Sequence, residues 1–124
     1  MGDRAISALV AVLLLVGGGP ARAAGSDLEY YTGDELFAQC TAAPADADYQ
    51  PRQARCVGYV LGASDAQQAA QGAGSASSIC ITASTGAQAL ADTVRRYLEA
   101  HPEKRHVAAQ DLVREALTES YPCK

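Results

Sequence analysis

Apolar residues recur along this chain at helical spacing in four places, and nowhere at the alternating spacing of a strand. The first is short. Leu36, Phe37 and Cys40 share one side of a helix predicted over 34–41, opened by Thr32-Gly-Asp-Glu35. That tetrad is a capping box: the Thr hydroxyl accepts the N3 amide while the Glu carboxylate reaches back to the Thr amide. Residues 42–51 read as a loop broken by Pro44 and Pro51. A longer helix over 52–71 would turn inward Cys56, Tyr59, Val60, Ala63 and either Ala66 or Ala70. Gly58 and Gly62 lie four apart on it and read as packing notches that let another backbone approach. The tract 72–78, rich in Gly, Ser and Ala, ends this helix as a flexible connection.

Thr85-Gly-Ala-Gln88 reads as a second capping box. It starts a helix to Ala100 with Leu90, Val94, Tyr97 and Leu98 on its inner face, stopped by Pro102. The turn His101-Pro-Glu-Lys-Arg-His106 leads into a last helix over 107–120, striped by Ala109, Leu112, Val113, Ala116 and Leu117. Four helices with short connections predict an all-α, up-and-down four-helix bundle. Tyr59 and Tyr97 are assigned to its packing, and Tyr30, Tyr31 and Tyr49 to polar, loop-like surroundings.

The chain's beginning follows a different pattern. An apolar run from Ala5 to Val16, a break at Gly17-Gly-Gly-Pro20 and the small residues of Ala21-Arg-Ala23 have the layout of a secretory signal peptide. The run is about 12 residues, short of the ~20 that span a bilayer as a helix. Residues 1–23 are therefore expected to be a signal peptide and 24–124 a helical domain in the periplasm, with no membrane attachment after cleavage. Removing Asp3, Arg4 and Arg22 from 10 basic and 14 acidic residues leaves 8 and 13, a net charge of −5. That charge argues against a nucleic-acid partner. Apolar content is 48%, but it is biased to Ala, with no Trp and one Phe. So thin a core in so short a chain needs cross-links or a partner.

Cys40, Cys56, Cys80 and Cys123 supply the cross-links, since an even number of cysteines in an exported chain predicts disulfides. An up-and-down bundle chooses the pairing. The end of the first helix lies beside the start of the second, joining Cys40 to Cys56. Cys80 precedes the third helix at the end where Cys123 follows the fourth. A 56–80 bond would cross about 24 residues of mostly helix at ~1.5 Å each, against a disulfide Cα separation of ~5.5 Å. No Cys-x-x-Cys or Cys-x-x-Cys-His occurs, so redox-pair, zinc-knuckle and haem readings lack their motif.

The same segments resemble the Rap1a/Tai immunity-protein family. The resemblance is carried by Gly33-Asp-Glu-Leu36 leading to Cys40, Cys56-Val-Gly-Tyr-Val-Leu-Gly62 with Asp65-Ala66, and Cys80-Ile81. It is most specific in Tyr97-Leu-Glu-Ala-His-Pro-Glu-Lys-Arg-His106 with Ala109, Leu112-Val113, Ala116-Leu117 and Tyr121-Pro-Cys123. It departs at Thr82, where the family usually has Pro. The resemblance implies a periplasmic protein that neutralises a type VI secretion effector, a peptidoglycan amidase of the papain-like type, and that works as a homodimer occluding the amidase groove. A groove-filling inhibitor needs a rigid projecting segment. The turn formed by His101, Glu103, Lys104, Arg105 and His106 is the expected partner-binding site, its ends held by two helices. As a plain helix–helix turn, it would leave Glu103 and Arg105 solvated. His101 and His106 lack the third ligand of a metal site, and bridged cysteines leave no Cys/His catalytic set, so no cofactor, metal or enzymatic activity is expected. Asp65, Asp92, Asp111 and Glu115 read as solvated helix faces. An acid-stress periplasmic chaperone and a generic periplasmic binding protein are the alternative functions.

Overall fold

A computed structural model describes residues 30–74 and 79–124; the expected signal peptide lies outside them. Four α-helices follow in order: α1 (Gly33–Cys40), α2 (Tyr49–Gly72), α3 (Ala87–Ala100) and α4 (Ala109–Ser120), with a 3-10 turn over Pro102–Lys104 before α4. No strand occurs among the described residues, only two isolated bridges, Thr32 with Ala108 and Ile79 with Pro122. The all-α, disulfide-stapled bundle expected from the periodicity is what forms.

The first capping box is present in full. The Glu35 amide donates to Thr32 Oγ1 at 3.3 Å and the Thr32 amide to Glu35 Oε2 at 2.7 Å, so two orphan donors of α1 are satisfied reciprocally. These bonds hold the Glu35 carboxyl below its usual range, the backbone bond to Thr32 contributing most. The second capping box does not form. The N-cap of α3 is Gly86, one residue later than expected, without a side-chain cap bond. The Thr85 hydroxyl instead pairs with Thr82 at 3.1 Å, and Thr82 with Ser84 at 2.9 Å. These hydroxyls, together with the bond from Thr85 N–H to Thr82 carbonyl, build the turn before α3.

Helix α2 begins three residues earlier than expected. Pro51 sits in its first turn and not before it, where a missing N–H removes no intrahelical bond. Its inward face is also rotated: Cys56, Val60, Ser64 and Gln67 are buried, Tyr59 and Ala63 are half-buried, and Ala66 and Ala70 are exposed. An Ala-rich helix with little contrast between faces gives periodicity nothing to fix its rotation, so Ser64 and Gln67 were missed. The Ser64 hydroxyl and both amide atoms of Gln67 are buried without a hydrogen-bond partner among the described residues. Each such group costs about 1–3 kcal/mol of desolvation.

Helix directions alternate, but the bundle is staggered along α2. Tyr31 meets Tyr59, Cys40 meets Cys56 and the Arg52 guanidinium donates to the Ala38 carbonyl, so α1 runs back along the first half of α2. Gln71 Nε2 reaches Cys123 Sγ at 3.8 Å, placing the end of α4 against the end of α2. Consequently α1 and α4 start side by side: Ala109 N–H donates to Tyr31 carbonyl at 2.7 Å and Gly33 N–H to Val107 carbonyl at 3.0 Å. Gly33 makes that junction possible. A Cβ there would stand 2.8 Å from the Arg105 carbonyl oxygen and 2.9 Å from its Cα, and closer still to Leu112 Cδ1.

Leu36, Val60, Leu90, Val94, Leu98, Leu112, Val113, Ala116 and Leu117 form the core. The α4 stripe is the one expected, while α3 buries Leu90, Val94 and Leu98 as expected together with Ala91 and Thr93, with Tyr97 half-buried beside them. Full burial of a Leu or Val side chain contributes about 1.5–3 kcal/mol. Two disulfides complete it, Cys40–Cys56 and Cys80–Cys123, with Cα separations of 5.0 and 4.9 Å. Both pairings are those the bundle topology predicted. They differ in setting: Cys40 and Cys56 are buried, Cys80 and Cys123 exposed.

Candidate functional site

The turn from His101 to His106 is rigid because three helices hold it: α3, α1 and α4. Pro102 opens its 3-10 helix and Lys104 N–H donates to His101 carbonyl at 3.1 Å. Arg105 Nε donates to Leu98 carbonyl at 2.7 Å while its guanidinium lies 3.6 Å from the Phe37 ring centroid, clamping the turn between α3 and α1. Asp34 N–H donates to the Arg105 carbonyl at 2.9 Å. Arg105 is therefore half-buried packing, not the solvated residue of a plain turn.

Lys104 is likewise engaged. Its Nζ donates to Glu115 Oε2 at 2.8 Å and to the Tyr97 hydroxyl at 2.9 Å, and that hydroxyl donates to the same carboxylate oxygen at 2.5 Å. The ammonium, then the hydroxyl, hold the Glu115 carboxyl below its ordinary range. Partial burial and then the carboxylate push the Tyr97 hydroxyl up, keeping it a neutral donor. Glu115 is thus the anchor of the turn, not a merely solvated face. His101 stacks on Tyr97 at 4.4 Å between centroids and meets Glu103 at 3.1 Å. Of the five turn residues expected to bind a partner, Glu103 and His106 are the exposed ones and the other three are half-buried.

Beyond His106 the chain passes through exposed Val107 into a groove of about 370 Å³, where α1 and α4 begin. Tyr30, Tyr31 and Tyr59 line it with Asp111 and Gln110. The rings of Tyr31 and Tyr59 are 4.9 Å apart at 45°. Tyr59 and Tyr97 both pack half-buried against the core, as expected; Tyr59 also lines the groove, and Tyr97 carries its hydroxyl into the polar anchor just described. Gly58 and Gly62 lie on the exposed face of α2, with no described atom within 4 Å of a Cβ built there, so neither is a notch inside this chain. The groove was not evident from sequence, because it joins residues almost eighty positions apart. Its signals were the Tyr30-Tyr31 pair before the capping box and Asp111 in the first turn of α4.

Among the described residues no cluster of three His, Cys, Asp or Glu is arranged to hold a metal ion, and no helix is long and apolar enough to cross a membrane. What the molecule offers is a rigid polar turn and an aromatic groove on a stapled helical frame, a form suited to gripping another protein. Residues 32–123 match the Rap1a immunity proteins, and the chain belongs to that family. The match runs from the N-cap of α1 to the last cysteine and includes both disulfides. Membership implies an immunity function carried out by binding a partner effector protein. No curated protein matches the chain.

Proposed function

We propose that the protein is exported to the periplasm by residues 1–23 and there binds and inhibits a peptidoglycan amidase effector of a type VI secretion system, as a homodimer and without chemistry of its own. The family match over 32–123 carries this reading. Two disulfides support it, since such bonds persist in an oxidising compartment. The rigid turn is the proposed inhibitory segment. A segment already ordered loses little conformational entropy on binding, which favours affinity. Glu103, paired at the surface with His101, and His106 are its exposed contacts; Lys104 and Arg105 hold its shape. Gly58 and Gly62, exposed on α2, are the proposed place for the second copy to pack.

The test is co-expression of the exported protein with a periplasmically directed amidase encoded beside it. Protection from lysis is the expected result. A folded protein that leaves lysis unchanged against its neighbouring amidase would overturn the proposal. Glu103→Ala with His106→Ala tests the turn itself, since neither residue carries the fold.

A further inference from the structure

We propose that the groove where α1 and α4 begin is a second grip on the effector, taking a lysine or arginine side chain against Tyr31, Tyr59 and Asp111. This rests on the immunity reading and names the chemistry of a contact apart from the turn. Tyr30, 74% exposed, and Val107, 37% exposed, are the exposed large hydrophobic residues among those described. They stand 77 positions apart in sequence; Tyr30 lines the groove and Val107 immediately precedes Ala108, which lines it too, the two segments being joined by the Gly33–Val107 and Ala109–Tyr31 backbone bonds. An exposed aromatic beside two half-buried ones at one place marks a binding surface far better than the same residues scattered singly.

Charge selects the occupant. Asp111 lines the groove, and the Glu35 carboxylate, held in the α1 capping box, adds negative charge near Tyr31. Arg114 meets Asp111 at 3.0 Å, but both side chains are more than half exposed, so this pair is weak and exchangeable. Arg55 also acts on Tyr31, more weakly than Glu35 does. Burial keeps both phenol hydroxyls neutral: Tyr31 is raised further by Glu35, and Tyr59 by Asp111. The groove therefore offers π-faces for a cation and its aliphatic stem, with a carboxylate at the mouth. An acidic side chain would meet the Asp111 carboxylate, and an apolar one would take water from that carboxylate and leave it only its exposed Arg114 pair. The net charge of −5 over residues 24–124 steers basic surfaces toward the molecule.

The test has two arms, both with the mature chain. Amide NMR spectra are followed while the capped tripeptide Gly-Arg-Gly is added at low salt, with capped Gly-Glu-Gly as the control. Saturable shifts confined to Tyr30, Tyr31, Tyr59 and Asp111, with none from the Glu peptide, are expected. Asp111→Asn should weaken that binding at least threefold with the melting temperature held within a few degrees. Equal shifts from both peptides, scattered shifts, or an unchanged Asp111→Asn variant would overturn the proposal. In the second arm, Tyr30→Ala combined with Asp111→Asn should lower affinity for the neighbouring amidase about tenfold or more, the scale of an interface hot spot. Undiminished amidase binding by the folded double variant removes the groove and leaves the immunity reading standing. A wild-type protein that binds no amidase removes the immunity reading, and with it the groove's role as an effector grip, while the peptide arm still decides its cation chemistry.

Discussion

Gly33→Ala should destabilise this protein while Gly58→Ala and Gly62→Ala stabilise it. At Gly33 an added Cβ meets backbone, 2.8 Å from the Arg105 carbonyl oxygen and 2.9 Å from Arg105 Cα, besides the fully buried Leu112. Backbone cannot swing aside as a surface side chain does, and Arg105 is itself clamped by Leu98 and Phe37. Overpacking of this kind costs about 1–3 kcal/mol. Gly33 opens α1, so the helix propensity regained by Ala is small there. Gly58 and Gly62 lie inside α2 with open space around them, and Ala at such a site stabilises a helix by about 0.5–1 kcal/mol. For a domain of this size, 1 kcal/mol moves Tm by about 4–8 °C. Urea titrations followed by circular dichroism at sub-micromolar concentration, below the range of the proposed dimer, would measure all three. A Gly33→Ala variant as stable as wild type would refute the close-packed junction of α1 with α4. A loss at Gly58 or Gly62 would show that something covers the outer face of α2.

Acid should weaken the fold as pH drops below the ordinary carboxylate range. Glu115 and Glu35 have lowered folded pKa values, so the unfolded chain takes up protons first and stability is lost as pH falls through the folded values. Urea midpoints between pH 6 and 2 should fall less steeply in Glu115→Gln and Glu35→Gln; parallel curves would refute both assignments. Mild thiol reductant should open exposed Cys80–Cys123 before buried Cys40–Cys56, as read by differential alkylation and mass spectrometry, and losing the first bond should cost about 2–5 kcal/mol. Arg105→Ala, which removes the Phe37 stack and the bond to Leu98, should cost about 2 kcal/mol, and a neutral result in denaturant titration would return Arg105 to the solvent.

Sequence pattern was most informative where chemistry is local or contrast is strong. The Thr32–Glu35 box and the α4 stripe from Ala109 to Leu117 each follow from residues within one element, and both disulfides follow from the order of four helices. Thr85 shows the limit of such motifs: its hydroxyl had a nearer partner in Thr82, and Gly86 took the cap. Pro51 was mistaken for a breaker because a proline's meaning depends on its distance from the helix start. The turn was recognisable as a segment, but its internal roles were not, since Lys104 and Arg105 are fixed by Glu115 and Phe37 on other helices. The stagger that joins Tyr31 to Ala109 depends on Gly33, whose small size signals nothing until its neighbours are known.

Direct binding of the mature protein to the peptidoglycan amidase proposed as its effector, measured by calorimetry together with hydrolysis of purified peptidoglycan, tests the central claim most closely. Stoichiometric binding that abolishes hydrolysis, lost progressively when Glu103 and His106 are replaced, is the expected result. Hydrolysis that proceeds unchanged in the presence of excess folded protein would contradict it.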